Sequence, residues 1–317
     1  MRVEAENAIK KEFFEDTLML LGEFTVAGHD MQYLLRLSNY GSAKKPANAN
    51  ISAYFAMLDD TKREFVEADS NGPASEAVVG EHKLLIRKNN IEISETNRGL
   101  RMFVDIDAIT IDFIVSKDCK NVNVGDPNVK FDNIKLASYS CPSCFTYGSC
   151  TFANNYYEVR GRAIYLRSFQ EKVDWTTILT RRLSRKNENE KKLFLSRGVF
   201  HLSNTNNIVL FTGEMGEQSN EWIKVVLTNG GFDKVKFLPV KQDINRFIEN
   251  ADNITEPTLF VIRSDDDSVR LKFKVLPLKR EELSRDNEGY VLHERFTRIA
   301  GVYQGEKVSG YGYISMS

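Results

Sequence analysis

Short segments in which apolar and polar residues alternate recur along most of this chain, with turn-forming residues between them. Ile109–Val115 and Val269–Leu276 are clear examples, since every second residue in each is apolar. Such alternation is typical of a β-strand with one buried face. Helical spacing of apolar residues occurs over residues 3–20, whose end reads equally well as a strand, and over Gln242–Ala251. The sequence therefore predicts an antiparallel all-β sandwich or barrel with few short helices.

Three places carry the signals of β-hairpins. The stretch Gly22–Ser38 reads as two strands joined near Ala27–Gly28, and Asp265–Asp267 lies between two strands and reads as a turn. The final stretch, Gly301–Ser315, has glycines where a strand turns tightly or runs against another backbone or a ligand. We expect it to form a hairpin that closes a sheet.

Length and charge restrict the class of protein. A chain of 317 residues exceeds the usual size of one hydrophobic core, so two domains are expected. The 43 Lys and Arg residues nearly balance the 44 Asp and Glu residues, which argues against nucleic acid or an anionic membrane as the main partner. No apolar run approaches the ~20 residues of a membrane helix or forms a signal peptide. We therefore expect a cytoplasmic protein with no membrane span.

A weak internal repeat indicates duplication. Gly22-Glu-Phe-Thr-Val precedes one predicted hairpin, and Gly198-Val-Phe-His-Leu precedes another. Both have Gly followed by Phe two positions on and an aliphatic residue two positions further. Chance repetition in an all-β chain explains this pattern equally well.

The terminal glycine pattern also resembles a known family. Gly301, Gly305, Val308, Gly310, Gly312 and Tyr313 form G-x3-G-x2-V-x-G-x-G-Y. This resembles the C-terminal signature of the tandem lipocalin-like family of carotenoid 1,2-hydratase (hydroxyneurosporene synthase), whose fold some natural-product Diels–Alderases share. Asn155–Gly161 resembles the Tyr-Tyr strand that leads from the family's first barrel into its second.

The resemblance implies two tandem lipocalin-like antiparallel β-barrels, expected here at residues 1–157 and 158–317. It implies a hydrophobic small-molecule ligand, terpenoid- or polyketide-like, that is hydrated, dehydrated or cyclised without a cofactor. The aromatic residues expected to bind this substrate are Tyr157, Tyr165, Phe169, Trp175 and Trp222. Barrel cores are built from the same residue types, so a packing role is the alternative.

Proton transfer in an apolar cavity requires an acid with a raised pKa, which a buried carboxylate or a histidine–carboxylate pair provides. The candidates are His201, Asp174, Glu158 and Glu214, with the adjacent pair His293–Glu294 also considered. His201 ranks first, although it points inward only if the strand register directs it opposite to Phe200 and Leu202. The alternative for each is a solvated or ion-paired surface position.

All four cysteines lie in one stretch, at Cys119, Cys141, Cys144 and Cys150. Zinc binding, a disulfide and free thiols are all compatible with this spacing, but the second pair is not a compact zinc knuckle and no histidine is near. Asp105, with Asp107 and Asp112, lacks the glycine and bidentate glutamate of a calcium loop. We therefore predict no metal site.

Two other classes of function compete with an enzyme. A ligand carrier would have the same cavity without an acid that reaches it, and an interaction module would have a barrel or sandwich filled by side chains. A homodimer is compatible with either, through exposed sheet edges.

Overall fold

The computed structural model describes most of the chain between residues 15 and 316. The described residues are 15–40, 50–62, 64–73, 75, 78–79, 85–106, 109–116, 122–123, 130–131, 134–170, 195–203, 207–214, 221–228, 235–249, 255–276, 284–287 and 290–316. Nearly all of them are in β-strands, and none of them is in an α-helix. Within this part of the chain, no helix is long and apolar enough to cross a membrane.

The chain forms two compact units. The first comprises residues 1–129 and 134–172, and the second comprises 130–133 and 173–317. The predicted boundary between residues 157 and 158 falls inside a strand, Asn155–Gln170, that belongs to the first unit.

The first unit is one antiparallel sheet that curls into a nearly closed barrel. Its strands are β1 (Glu15–Val26), β2 (His29–Tyr40), β3 (Asn50–Asp59), β4 (Glu64–Pro73), β5 (Val78–Val79), β6 (Leu85–Lys88), β7 (Ile91–Thr96), β8 (Gly99–Ile106), β9 (Ile109–Val115), β10 (Val122–Asn123), β12 (Ile134–Phe152) and β13 (Asn155–Gln170). Strand β11 (Lys130–Phe131) precedes β12 in the chain and falls among the residues assigned to the second unit. The sheet order is β4-β3-β2-β1-β13-β12-β9-β8-β7-β6-β5. A hydrogen bond from Asn89 Nδ2 to Ser70 Oγ, 2.7 Å long, joins the β6–β7 turn to β4 across the gap.

The second unit contains a closed eight-stranded barrel. Its strands are β14 (Leu195–Leu202), β15 (Asn207–Glu214), β16 (Glu221–Thr228), β17 (Val235–Glu249), β18 (Thr255–Ser264), β19 (Val269–Val275), β20 (Ser284–Asn287), β21 (Tyr290–Tyr303) and β22 (Glu306–Met316). Strands β14 to β19 pair in sequence, β14 also pairs with β22, and β22 pairs with β21. The β19–β21 pairing completes the ring, while β20 extends beside β21. The all-β, barrel-based fold class predicted from the sequence is confirmed.

Side chains fill the middle of the first barrel. Every second residue of each long strand points inward, and these positions form one apolar core. Tyr33, Leu35, Phe55, Met102 and Ile111 are no more than 1% exposed, so the space around these described side chains is too small for solvent. The ligand cavity expected at the centre of a lipocalin-like barrel is therefore occupied here by protein side chains.

A row of four directly opposed residues crosses four neighbouring strands of the first barrel, starting with its paired first and last strands. Phe24 on β1 lies opposite Gly161 on β13, which lies opposite Thr146 on β12, which lies opposite Val115 on β9. A Cβ on Gly161 would lie 3.0 Å from Cβ of Phe24 and 2.1 Å from a backbone oxygen of β1. Glycine at this position therefore permits the close approach of the two closing strands.

The second barrel repeats this row with the same four residue types. Phe200 on β14 lies opposite Gly312 on β22, followed by Thr297 on β21 and Val275 on β19. The ring of Phe200 packs on Phe273 at 4.7 Å. The ring of Phe24 packs on Phe113, two residues before Val115, at 5.1 Å, in the same relation. The two barrels thus share a closing arrangement, which is the relation that the sequence repeat at Gly22 and Gly198 indicated.

The predicted hairpins are confirmed. The turns Ala27–Gly28 and Gln304–Gly305 have positive φ at both residues, as a two-residue type I′ turn requires, and Ala153–Asn154 has the same conformation between β12 and β13. Residues 265–268 form the predicted turn between β18 and β19.

The helix predicted at Gln242–Ala251 is wrong where the structure describes it, and the end of the stretch 3–20 is a strand, the alternative that its sequence allowed. Residues 15–20 begin β1, in which Leu18, Met19 and Leu20 are all at most 2% exposed, so both faces of the strand are buried and the alternation disappears. The segment Gln242–Glu249 belongs to β17, whose register shifts between Ile244 and Phe247. An extra residue in such a bulge changes a spacing of two into a helix-like spacing. Residues 3–14 lie outside the described part of the chain.

A test of barrel closure uses Gly310, where a Cβ would lie 2.0 Å from the backbone oxygen of His201 on the neighbouring strand. We expect Gly310→Val to lower the free energy of unfolding by about 1–3 kcal/mol, because the closing strands must separate to admit the side chain. Chemical denaturation monitored by circular dichroism measures this. Ser309→Val, an exposed position on the same strand, is the control; equal stability of the two variants would contradict the close approach.

Candidate active site

A histidine–aspartate pair lies at one end of the first barrel, which we call the turn end because the turns Ala27–Gly28, Asp60–Lys62 and Ala153–Asn154 lie there. His29 begins β2 and Asp59 ends β3. His29 Nδ1 lies 2.7 Å from Asp59 Oδ2. The histidine side chain is 18% exposed and the aspartate side chain 4%, so the carboxylate is buried and the imidazole reaches the surface.

The turn that follows β3 fixes the Asp59 carboxylate. Its Oδ1 accepts hydrogen bonds from the backbone N–H groups of Thr61 and Lys62, both 3.0 Å long. Aspartate at the start of a turn often makes such bonds, which hold the side chain in one orientation. Oδ2 is thereby directed at His29, and both carboxylate oxygens have partners.

The geometry determines the tautomer of His29. An ionised carboxylate only accepts hydrogen bonds, so Nδ1 carries the proton that lies between His29 and Asp59. In the neutral imidazole, Nε2 is then an acceptor with a free lone pair. A histidine oriented through one nitrogen by a buried carboxylate is the arrangement that enzymes use for a general base.

An aromatic ring lies beside the pair, and partly exposed apolar side chains line the same barrel. The ring of Phe152, at the end of β12, lies 5.4 Å from the His29 ring. Phe152, Tyr157, Val66 and Ala68 pack against the barrel core and yet keep partial exposure. The register pairs Cys150 with Tyr157 on the inner face of the β12–β13 hairpin, so Phe152 and Tyr157 are diagonal neighbours. The turn end thus combines a base with an apolar, partly aromatic wall.

Deeper in the barrel lies a fully buried polar group, the Tyr33 hydroxyl. Burial raises the pKa of Tyr33 well above its usual range, and the nearby Thr146 hydroxyl opposes the rise. The ring covers Gly22, where a Cβ would lie 2.3 Å from Tyr33 Cζ. The inner face also carries Cys144 and Cys150, and burial raises the pKa of the Cys150 thiol to about 11. These groups belong to the core rather than to an accessible site.

The other end of the first barrel is held by a buried ion pair. Arg167 on β13 donates to both carboxylate oxygens of Asp16 on β1, from Nε to Oδ1 at 2.9 Å and from Nη2 to Oδ2 at 2.6 Å. Arg167 is 1% exposed. This two-point contact joins the first and last strands where they meet at that end. The charge of Arg167 therefore has a structural role.

Two of the predicted acids have described side chains, and the structure separates both from the barrel interiors. Glu158 is exposed on the outer face of β13, because the inward positions are Tyr157 and Val159. His201 is 7% exposed, on the face of β14 opposite the core residues Phe200 and Leu202, with its ring 5.5 Å from that of Tyr311. The register therefore directs both side chains away from the interior where an acid was expected.

The predicted aromatic set divides in the same way. Tyr165 is 2% exposed within the first core, and Tyr157 is half-buried at the turn end. Phe169, Glu214, Trp222, Cys141 and His293–Glu294 lie in strands whose side chains at those positions are not described, and Asp174, Trp175 and Cys119 lie outside the described residues.

The sequence reasoning missed both members of the pair. His29 follows the predicted turn at Ala27–Gly28, and Asp59 begins the polar run Asp59–Lys62, so turn formation alone explains each residue. One signal was available in the sequence, the spacing along each strand. His29 lies two residues from Met31 and Asp59 two residues from Met57, and both methionines face inward, so both members of the pair are on the inward face. The pairing itself depends on the β2–β3 register, in which Met31 lies opposite Asp59.

Within the described strands of the second barrel, the position that matches Asp59 does not hold a carboxylate. In the first barrel Phe24 lies opposite Met31, which lies opposite Asp59. In the second barrel Phe200 lies opposite Ile208, which lies opposite Leu227. Leucine thus occupies the position of the aspartate, so the closing row is repeated and the candidate site is not.

Carboxylates considered for calcium have other partners. Asp112 accepts a two-point contact from Arg101, both distances being 2.8 Å, and Asp105 Oδ1 accepts from Thr110 Oγ1 at 2.8 Å. Hydrogen bonds from Ser264 and Ser268 hold the pKa of Asp266 at about 2 in its turn. Among the described residues, no group of three or more His, Cys, Asp or Glu side chains is arranged to hold a metal ion.

Comparison with protein-family models and with the sequences of curated proteins finds no match. Solved structures do match. A Nitrosomonas europaea protein assigned as AttH superposes with a TM-score of 0.72 at 14% identity, over 100% of this chain and 96% of that one. Kievitone hydratase from Nectria haematococca gives 0.71 at 16% identity, over 95% and 88%. The likeness establishes the fold, two tandem lipocalin-like β-barrels.

The tautomer of His29 is open to direct measurement. We expect ¹⁵N-edited NMR to show a downfield imidazole proton on Nδ1, because the Asp59 carboxylate holds it there. Asp59→Asn should remove that signal, whereas Asp30→Asn, an exposed neighbour at the same turn, should keep it. A wild-type spectrum with the proton on Nε2 would contradict the arrangement.

Burial of Cys150 makes stability depend on alkaline pH. Its pKa is raised from 9.0 to about 11, so the folded state holds the proton more tightly than the unfolded state does. The stabilisation is complete below about pH 8.5 and is lost as the pH rises through the folded value. Denaturation at several pH values should show a smaller alkaline loss for Cys150→Ala than for the wild type. Val159→Ala, which also shortens a buried side chain, should retain the full loss; equal losses in all three would contradict this prediction.

Proposed function

We propose that this protein is a hydro-lyase that adds water to, or removes it from, a hydrophobic small molecule bound at the turn end of the first barrel. The observation that carries the proposal is the oriented His29–Asp59 pair, in which a buried, doubly anchored carboxylate leaves Nε2 of His29 as a base at the surface. The shared fold with kievitone hydratase supports this class of reaction for the same scaffold.

The chemistry follows from the proton position. In the hydration direction, His29 Nε2 takes a proton from water as the water oxygen bonds to one carbon of a double bond. The π electrons move to the adjacent carbon, which takes up a proton, and the imidazolium returns its own proton to solvent or substrate. Asp59 stabilises the imidazolium while it exists. Dehydration is the reverse sequence.

The base also selects the kind of double bond. An imidazole activates water for attack, and attack by water requires an electron-poor carbon. A double bond conjugated to a carbonyl fits this requirement, because the carbonyl accepts the displaced electrons. An isolated alkene, which must first be protonated by a strong acid, fits it less well.

The apolar wall accounts for a hydrophobic substrate. Phe152 lies against the His29 ring, and Tyr157 is its diagonal neighbour on the inner face. A planar conjugated molecule packs favourably on such rings. Because side chains fill the middle of the barrel, the substrate binds at the turn end and not in a deep central cavity. The same filling weighs against a carrier that encloses its ligand in this barrel, and it is also what an interaction module would show. The His29–Asp59 pair at the turn end is the observation that favours an enzyme over such a module.

The test is turnover of a panel of hydrophobic α,β-unsaturated carbonyl compounds and their β-hydroxy counterparts, followed by mass spectrometry in ¹⁸O-labelled water. Wild-type protein should gain or lose one water per molecule. We expect His29→Gln and Asp59→Asn each to lower kcat by about 10²–10⁴-fold, the usual contribution of a general base.

Asp30→Asn, at the same turn but outside the pair, is the control and should keep wild-type turnover. Full activity in His29→Gln would refute the proposed base. Binding of panel compounds by the wild type without turnover would instead identify a ligand-binding protein.

A further inference from the structure

Exposed aromatic side chains gather on one outer face of the first barrel. Among the described residues, the large hydrophobic side chains that stand exposed are Phe145 at 58%, Tyr147 at 36% and Tyr156 at 68%. All three lie on the β12–β13 hairpin and point away from the core, since their neighbours Cys144, Thr146 and Tyr157 point inward. Large exposed rings on one sheet face indicate a binding face.

The outward positions of β13 combine this aromatic surface with charge. In chain order they are Tyr156, Glu158, Arg160 and Arg162, and all four are exposed. An aromatic residue is thus followed by one negative and two positive side chains at strand spacing, about 7 Å apart from one to the next.

We propose that this face, the outer surface of the β12–β13 hairpin, binds the same face of a second copy of the chain. The two-fold axis lies in the plane between the two sheets and passes over β13 midway between Glu158 and Arg160. It relates the two β13 strands so that they run antiparallel and face each other. Glu158 of one copy then faces Arg160 of the other. Tyr156 faces Arg162, which places a guanidinium over an aromatic ring.

The partner strand β12 fits the same symmetry. In the register Phe145 lies beside Arg162, Tyr147 beside Arg160, Ser149 beside Glu158 and Thr151 beside Tyr156. The two-fold operation therefore brings Tyr147 against Ser149 and Phe145 against Thr151 of the other copy. Large rings meet small side chains, which allows the two sheet faces to interdigitate.

A second copy fits the charge pattern better than a partner of uniform charge. An anionic partner would be attracted by Arg160 and Arg162 but repelled by Glu158 between them and Tyr156. A surface with the reversed order of charges fits all four positions, and the antiparallel copy of β13 supplies that order. Arg162 also has Glu23 beside it on β1, so Glu158 and Arg160 next to the axis are the stronger part of the match. The face is therefore complementary to itself.

The test is the oligomeric state measured by sedimentation velocity, from about 1 to about 100 µM, the range of moderate homodimer affinities. Wild-type protein should dimerise. Glu158→Arg and Arg160→Glu should each raise the dimer dissociation constant at least about tenfold, because each places like charges opposite one another across the axis. Mixing the two variants should restore association as a heterodimer, since the new arginine of one copy then faces the new glutamate of the other. The double variant should form a homodimer again for the same reason.

Lys272→Glu, a charge reversal at an exposed strand position of the second unit, should leave the dimer unchanged. Circular dichroism of each variant checks that the exposed substitution leaves the fold intact. A wild type that stays monomeric over the whole range would overturn the proposal and assign the face to a partner of different sequence. A dimer that neither reversal weakens would place the contact on another surface.

Discussion

Each barrel depends on pairing between strands that are far apart in the chain. In the first barrel β1 pairs with β13 over ten residue pairs that are up to 155 positions apart, and in the second β14 pairs with β22. Bringing such distant segments together costs chain entropy before any contact repays it. The closing strands offset that cost by close packing, with glycine opposite phenylalanine in both barrels, and by the buried Asp16–Arg167 pair at one end of the first.

The closing row is found in both barrels, whereas the candidate site is found in the first. We therefore assign a structural role to the row and a functional role to the site. A Phe–Gly–Thr–Val row occurs in both barrels because closure makes the same steric demand in each. The His29–Asp59 pair makes no such demand, and the second barrel has Leu227 at the position of Asp59. Because the barrel closes without help from the His29–Asp59 pair, residues at its rim are available for chemistry. Residues at the rim contribute little to core packing.

The alternation of apolar and polar residues predicted those strands that have one buried face and one solvent-exposed face. Val269–Val275 alternates without exception between buried and exposed residues, and its sequence predicts the strand directly. The alternation is absent where a second effect hides it, and there the sequence left β1 undecided and indicated a helix in place of β17. In β1 both faces are buried, and in β17 a bulge changes the spacing. The same limit explains His201: its strand was predicted, but the face that it occupies depends on the register of the barrel.

The sequence by itself determined the β class, the hairpin turns and the close approach of the terminal glycines, because each depends on residues within a few positions of one another. Only the tertiary structure decided which side chains meet. His29 and Asp59 are 30 residues apart, and their contact requires the β2–β3 register together with the turn that anchors Asp59. The outer face of β13 likewise depends on the tertiary structure. The alternate side chains of this strand pack into the barrel, and that packing leaves Tyr156, Glu158, Arg160 and Arg162 together on the outside. Register and burial are set by the whole sheet, and no local pattern contains them.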